Sequence, residues 1–121
     1  MNTNRLLTNA AKSSSLNADS VLGYIPVDRN LRLVQAVIVA KSNITADNTN
    51  FSKFQIKNGS TVIIERSYAS GDHAAGDREI LNAIADGTVN KDDVLSIEYD
   101  ATGNGLAFDL DVLLVFELAR G

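Results

Sequence analysis

Few residues in this chain are equipped for chemistry, and their spacing limits what they could do. His73 is the single histidine and there is no cysteine. Any hydrolytic triad would therefore run through His73, and the HAAGD around it offers no second ligand at zinc spacing. His73 is expected to lie exposed in a loop. Two carboxylate pairs stand out, Asp92 with Asp93 and Asp109 with Asp111. Neighbours along a strand point to opposite faces, so the first pair diverges, while Asp109 and Asp111 share a face and could cooperate in acid–base work. With no tryptophan to make a sugar platform and no second histidine, they read as acidic surface, and no catalytic residue is expected. GNG, residues 103–105, lacks the third glycine and the following helix of a dinucleotide loop.

One spacing calls for a metal test. In DATGNGLAFDLD, Asp100, Thr102, Asn104 and Gly105 fall on the first, third, fifth and sixth positions of a calcium loop, with Asp111 on the twelfth. Holding an ion would require Asp111 to curl back to the turn, yet Leu106 opens an alternating strand and no helices flank the segment. Asp, Asn, Thr and Gly are also what a tight turn selects on its own. A plain turn is expected, with no metal and no cofactor.

The elements that would position these residues are short strands. Residues 1–20 are rich in Asn, Ser, Thr and Ala, with Leu6, Leu7 and Leu16 as the only large aliphatics, and read as an N-terminal arm. Such an arm either frays or lies on a neighbouring subunit with Leu6 and Leu7 as its anchor. Residues 21–121 form the expected β-sandwich domain. VLGYIPV carries the only proline, Pro26, which suits an edge strand or a strand end. In LRLVQAVIVA, Leu31, Leu33, Val37 and Val39 fall on one side, and Arg32, Val34, Ala36 and Ile38 on the other. FSKFQIK places Phe54 and Ile56 inward, and the Asn58-Gly59 pair before STVIIERSY marks a hairpin. REILNAIADG fits a helix capped by Asp77 and ended by Gly87, and equally a strand, so residues 78–86 stay open between the two.

Close-spaced strands with little helix indicate an all-β fold, an antiparallel β-sandwich of jelly-roll type. The final strand is expected at its centre, with Leu106, Phe108, Leu110, Val112, Leu114, Phe116 and Leu118 as a core face. Leu113 and Val115 then point away from that core, and Ile38 with Ala36 and Ala40 makes a similar patch on another strand. Apolar residues gathered on an outer face mark a contact, so Ile38, Leu113 and Val115 are the expected oligomer interface unless the N-terminal arm or the 77–87 segment folds over them.

Composition narrows the partners. The net charge is −4 and the basic residues are scattered, so nucleic acid is not expected. No run approaches the roughly 18 apolar residues of a membrane helix, and no leader pattern opens the chain, so a soluble protein away from membranes is expected.

DDVLSIEYDATGNGLAFDLDVLLVFE resembles the closing hairpin of small virion proteins of tailed bacteriophages, above all head decoration (cement) proteins. GYIPVDRNLRLVQAVIVA and FSKFQIKNGSTVI are similar to their opening strands. The resemblance implies a jelly-roll-like module, often a homotrimer, that binds the major capsid protein on the outer surface of the virion and reinforces it without catalysis. Leu6 and Leu7 would be the capsid contact. A tail or fibre protein, or a calcium-dependent or carbohydrate-binding β-sandwich module, are the alternatives.

Overall fold

The computed structural model describes residues 4–118, with side chains from Leu6 onward. Nine strands follow one another: β1 (Asn4–Ser13), β2 (Ser20–Pro26), β3 (Leu31–Ala40), β4 (Phe51–Asn58), β5 (Thr61–Ser67), β6 (Arg78–Asn82), β7 (Thr88–Val89), β8 (Val94–Thr102) and β9 (Phe108–Leu118). One antiparallel sheet has the order β1-β9-β3-β6, with the short β7 continuing the β6 edge along β3, and the other has the order β2-β8-β4-β5. Each sheet interleaves early and late strands, which is the double Greek key of a jelly roll. The fold is thus the expected all-β sandwich, and residues 78–82 are strand, paired to β3 from Gln35 to Val39.

The period of the last strand explains its place. Phe108, Leu110, Val112, Leu114 and Phe116 are all buried between the sheets, and β9 lies between β1 and β3. Phe108 meets Phe54 edge-on at 6.2 Å and Tyr99 at 5.5 Å, so the aromatic residues of both sheets fill the middle of the core. Leu106 is only partly buried and Leu118 is exposed, which shortens the inner face at both ends.

β3 departs from the simple alternation. Leu31 and Leu33 are buried, and so are Ala36, Ile38 and Ala40, because the register against β9 shifts between Leu33 and Gln35. The extra residue, Val34, is a β-bulge, and every residue after it faces the side opposite to that dictated by unbroken alternation. Ile38 is therefore a core residue with no exposed surface and not the outer interface residue expected above. Val37 and Val39 take the outward positions instead.

Two further expectations change. The arm expected over residues 1–20 is, from Asn4 to Ser13, a strand at the edge of the first sheet, paired in unbroken antiparallel register with β9. Backbone hydrogen bonds to an already formed strand hold it there, a gain that a count of large aliphatic side chains does not register. Leu7 accordingly faces inward opposite Leu114 and packs on the core, while Leu6 faces outward opposite Val115. At the β4–β5 hairpin the two-residue loop is Gly59-Ser60, because Asn58 still pairs with Thr61, and Gly59 alone supplies the positive φ, 61°.

Candidate interaction face

The registers place outward side chains of the first sheet in rows. Leu6, Val115, Gln35 and Asn82 form one row, Thr8, Leu113, Val37 and Ile80 the next, and Ala10, Asp111, Val39 and Arg78 a third. The middle of this face is apolar. Leu6 is 59% exposed and Ile80 52%, Leu113, Val115 and Val39 are half-buried, and Val37 is screened by its neighbours. Polar contacts ring it: Arg32 pairs with Glu117 at one end, Lys41 Nζ lies 3.3 Å from Asp111 Oδ1 at the other, and Gln35 Nε2 donates to Asn82 Oδ1 at 3.1 Å. An apolar centre with a polar rim is the pattern of a protein–protein contact.

The outer face of the second sheet is built differently. Strands β8, β4 and β5 carry ion pairs between Lys57 and Glu98 at 3.5 Å and between Lys53 and Glu65 at 3.9 Å, and Gln55 Nε2 donates to Glu65 Oε1 at 2.8 Å. Exposed apolar residues on that side, Val21, Tyr24 and Val94, gather along the β2 edge. Charged neighbours satisfied side by side suit water. Of the two faces, the first has an apolar centre that water does not satisfy.

The calcium arrangement does not assemble. Asp100 sits on the outer face of the second sheet opposite Lys53, whereas Asp111 sits on the outer face of the first beside Lys41. Asn104 donates its backbone N–H to Asn50 Oδ1 at 2.9 Å, and Gly103 and Gly105 take positive φ, so the segment is a turn. The neighbour of Asp100 is another carboxyl, Asp19, and burial together with that contact raises the Asp100 pKa. Among the described residues no group of three or more His, Asp or Glu side chains is placed to hold a metal ion. Asp109 and Asp111 do share β9, and Asp111 is taken up by its lysine.

His73 is buried and not the exposed loop residue expected. It bridges backbone-to-backbone with Ile44, its Nε2–H donates to the Asp77 carbonyl at 2.8 Å, and Tyr68 Oη–H donates to Nδ1 at 2.9 Å. The carbonyl can only accept, which assigns the ring proton to Nε2. The Arg66 guanidinium lies 4.2 Å over the Tyr68 ring and grips Glu79 with bonds of 2.7 and 3.1 Å. That grip lowers the Glu79 pKa and raises that of Arg66, while burial raises that of Tyr68. The cluster ties the β3–β4 and β5–β6 connections together at one end of the sandwich, and its polar side chains are committed to structural partners. Among the described residues, the hydrogen-bond partners of the His73 ring are the Tyr68 hydroxyl and the Asp77 carbonyl. Tyr68, five residues before it, was the sequence signal for a buried partner.

No protein-family model matches the chain, and no curated protein matches it in sequence. Among solved structures it is similar to that of the Gx strain of infectious bursal disease virus, at 13% identity with a TM-score of 0.48. It is also similar to the VP2 subviral particle of infectious bursal disease virus, at 14% identity with a TM-score of 0.26. Each likeness covers 98% of this chain, but only 33% and 42% of the respective viral chain, so this chain spans less than half the length of either.

Proposed function

We propose that this chain is a non-enzymatic structural protein of a virus particle, a jelly-roll module that decorates and reinforces the outer surface of a bacteriophage capsid. The observation that carries the reading is the apolar centre formed by Leu6, Leu113, Val115, Val39 and Ile80 on one face of a sandwich whose other face is ion-paired. A sheet face of this kind is a surface built to be covered by protein. The strand order belongs to a fold that capsid domains use, and the resemblance of the 92–117 segment to decoration proteins supports that setting. The major capsid protein is the partner proposed for the face. Leu6, Leu113 and Val115 are its contact residues, since they stand on two adjacent rows of that face.

Co-sedimentation with DNA-free heads of the phage that encodes the chain tests this. Leu113→Ser combined with Val115→Ser is expected to abolish binding while the melting temperature falls only a few degrees, since both side chains are only half-buried. A doubly substituted protein that binds heads as well as the unsubstituted chain would refute the placement.

A further inference from the structure

Of the described outer strands of the two sheets, β1 has the longest open edge. β2 ends in Pro26 and carries an irregularity between Val21 and Gly23. Beside β5, the Ile63 carbonyl accepts the Ile84 N–H at 2.8 Å, and Arg66 turns back onto the carbonyls of Ser67, Ser70 and Gly71. β6 has five residues and its continuation β7 two. β1, by contrast, runs for ten residues with no proline, no bulge and an unbroken register, and on its far side no strand of the described chain pairs with it. Folded proteins do not ordinarily leave so long and regular an edge open to water.

We infer that β1 pairs antiparallel with β1 of a second copy of this chain, about a two-fold axis through Thr8. The register follows from two constraints. A two-fold axis normal to the sheet must set outward residues against outward residues, so the two paired residue numbers sum to an even value. The offset that would pair all ten residues has an odd sum and is thereby excluded. Centring on Asn9 instead would press Lys12 against Leu6. Centring on Thr8 sets Thr8 against Thr8, Leu6 against Ala10 and Lys12 against Asn4, with Arg5 opposite Ala11. A threonine pair then sits at the axis, and the rows beginning at Leu6 and Thr8 continue into those of the other copy. The two apolar faces become one surface, twice as wide. A two-fold pair replaces the trimer implied by the resemblance to decoration proteins.

The chain contains no cysteine, so single cysteines report on this register directly. Opposed residues in an antiparallel pair have Cα atoms about 4.5–5.5 Å apart, inside the span a disulfide can bridge. Thr8→Cys is thus expected to form a disulfide-linked dimer under mild oxidation. Ala10→Cys, with its two copies offset by four residues and so about 13 Å apart, is expected to cross-link at least about tenfold more slowly. Thr8 and Ala10 are both exposed, and melting temperatures close to that of the unsubstituted chain are expected for both variants. Sedimentation equilibrium of the unsubstituted protein should give a dimer. A monomer or a trimer would overturn the inference, as would cross-linking of Ala10→Cys at a rate equal to that of Thr8→Cys, or the absence of a disulfide in Thr8→Cys.

Discussion

Replacing Ile38 by alanine separates two incompatible roles for this residue. On the outer face of the sheet, truncation would weaken an assembly and leave the folded chain nearly untouched. In the structure Ile38 has no exposed surface, packs in the core cluster beside Val112, and is carried inward by the bulge at Val34. Removing three carbons from such a site forfeits their transfer free energy and leaves a void that the two sheets, tied through other contacts, can only partly close. Ile→Ala changes of this kind cost about 2–5 kcal/mol. A value near the middle, about 3.5 kcal/mol, is a large share of the roughly 5–15 kcal/mol that holds a domain of this size folded. At about 4 °C per kcal/mol the melting temperature should fall by about 14 °C. Leu113→Ala, on the half-buried outward position of the next strand, should lower it by no more than a few degrees. Thermal unfolding followed by circular dichroism, with sedimentation run alongside, reads both. A melting temperature for Ile38→Ala within 3 °C of the unsubstituted chain, or a change confined to assembly, would refute the bulge and the inward placement that depends on it.

Gly105→Ala should be strongly destabilising. Its Cβ would stand 2.0 Å from Tyr99 Oη and 2.2 Å from the Leu16 carbonyl, where that hydroxyl binds both Leu16 and the Leu106 N–H, and its φ is 71°. Gly59→Ala meets open space at a similar φ and should cost only about 1 kcal/mol, so chemical denaturation midpoints should separate the two clearly. Asp100→Asn should raise stability at pH 7 by about 0.5 kcal/mol by relieving its contact with the Asp19 carboxyl, and the gain should vanish at pH 3. The sign follows from the raised pKa: the folded state binds this proton more tightly than the unfolded chain, so the support is full below about pH 4 and is lost as pH rises through the raised value. Glu79 behaves in the opposite sense. Its pKa is lowered chiefly by the hydrogen bonds from Arg66, so its contribution is present above the usual carboxylate range and disappears on acidification. Glu79→Gln should therefore flatten the acid limb of a stability–pH curve measured by urea unfolding.

Sequence periodicity was a good guide wherever one strand kept one phase. β9 alternates without interruption, and its burial follows residue for residue from Phe108 to Phe116. β4 places Phe54 and Ile56 inward as expected, although Gln55 between them is buried too, bonded to Glu65. β3 changes phase at Val34, and a run of valine, alanine and isoleucine contains no polar marker to reveal where. That single inserted residue moved Ile38 from the outer face to the core and brought Val37 and Val39 out. Leu113 and Val115 were legible as outward residues because Asp111 and Glu117 frame them in the same phase. Their partners on the face, Leu6 and Ile80, were not, since cross-strand rows depend on registers between strands more than 100 residues apart in one case, Leu6 and Val115. His73 escaped for a related reason: its burial comes from Ile44, Tyr68 and Asp77 converging on it, and short-range composition around HAAGD speaks only for a loop.

The position of β9 between β1 and β3 has a consequence for biosynthesis. Of the nine described strands, β9 is synthesised after all the others, although one of the two strands it joins, β1, comes before them all. Until it arrives, β1 has nothing to pair with and β3 lacks its inner neighbour, so the nascent chain carries the valines and leucines of half the sandwich without a sheet to hold them. Closure is then a single late event dominated by contacts distant in sequence, which makes folding slow and leaves the waiting strands open to aggregation. A chain terminated before Phe108 should be recovered as insoluble material, whereas one supplied with residues 106–118 as a separate peptide should regain the missing strand in the way a pilin subunit accepts one from its neighbour.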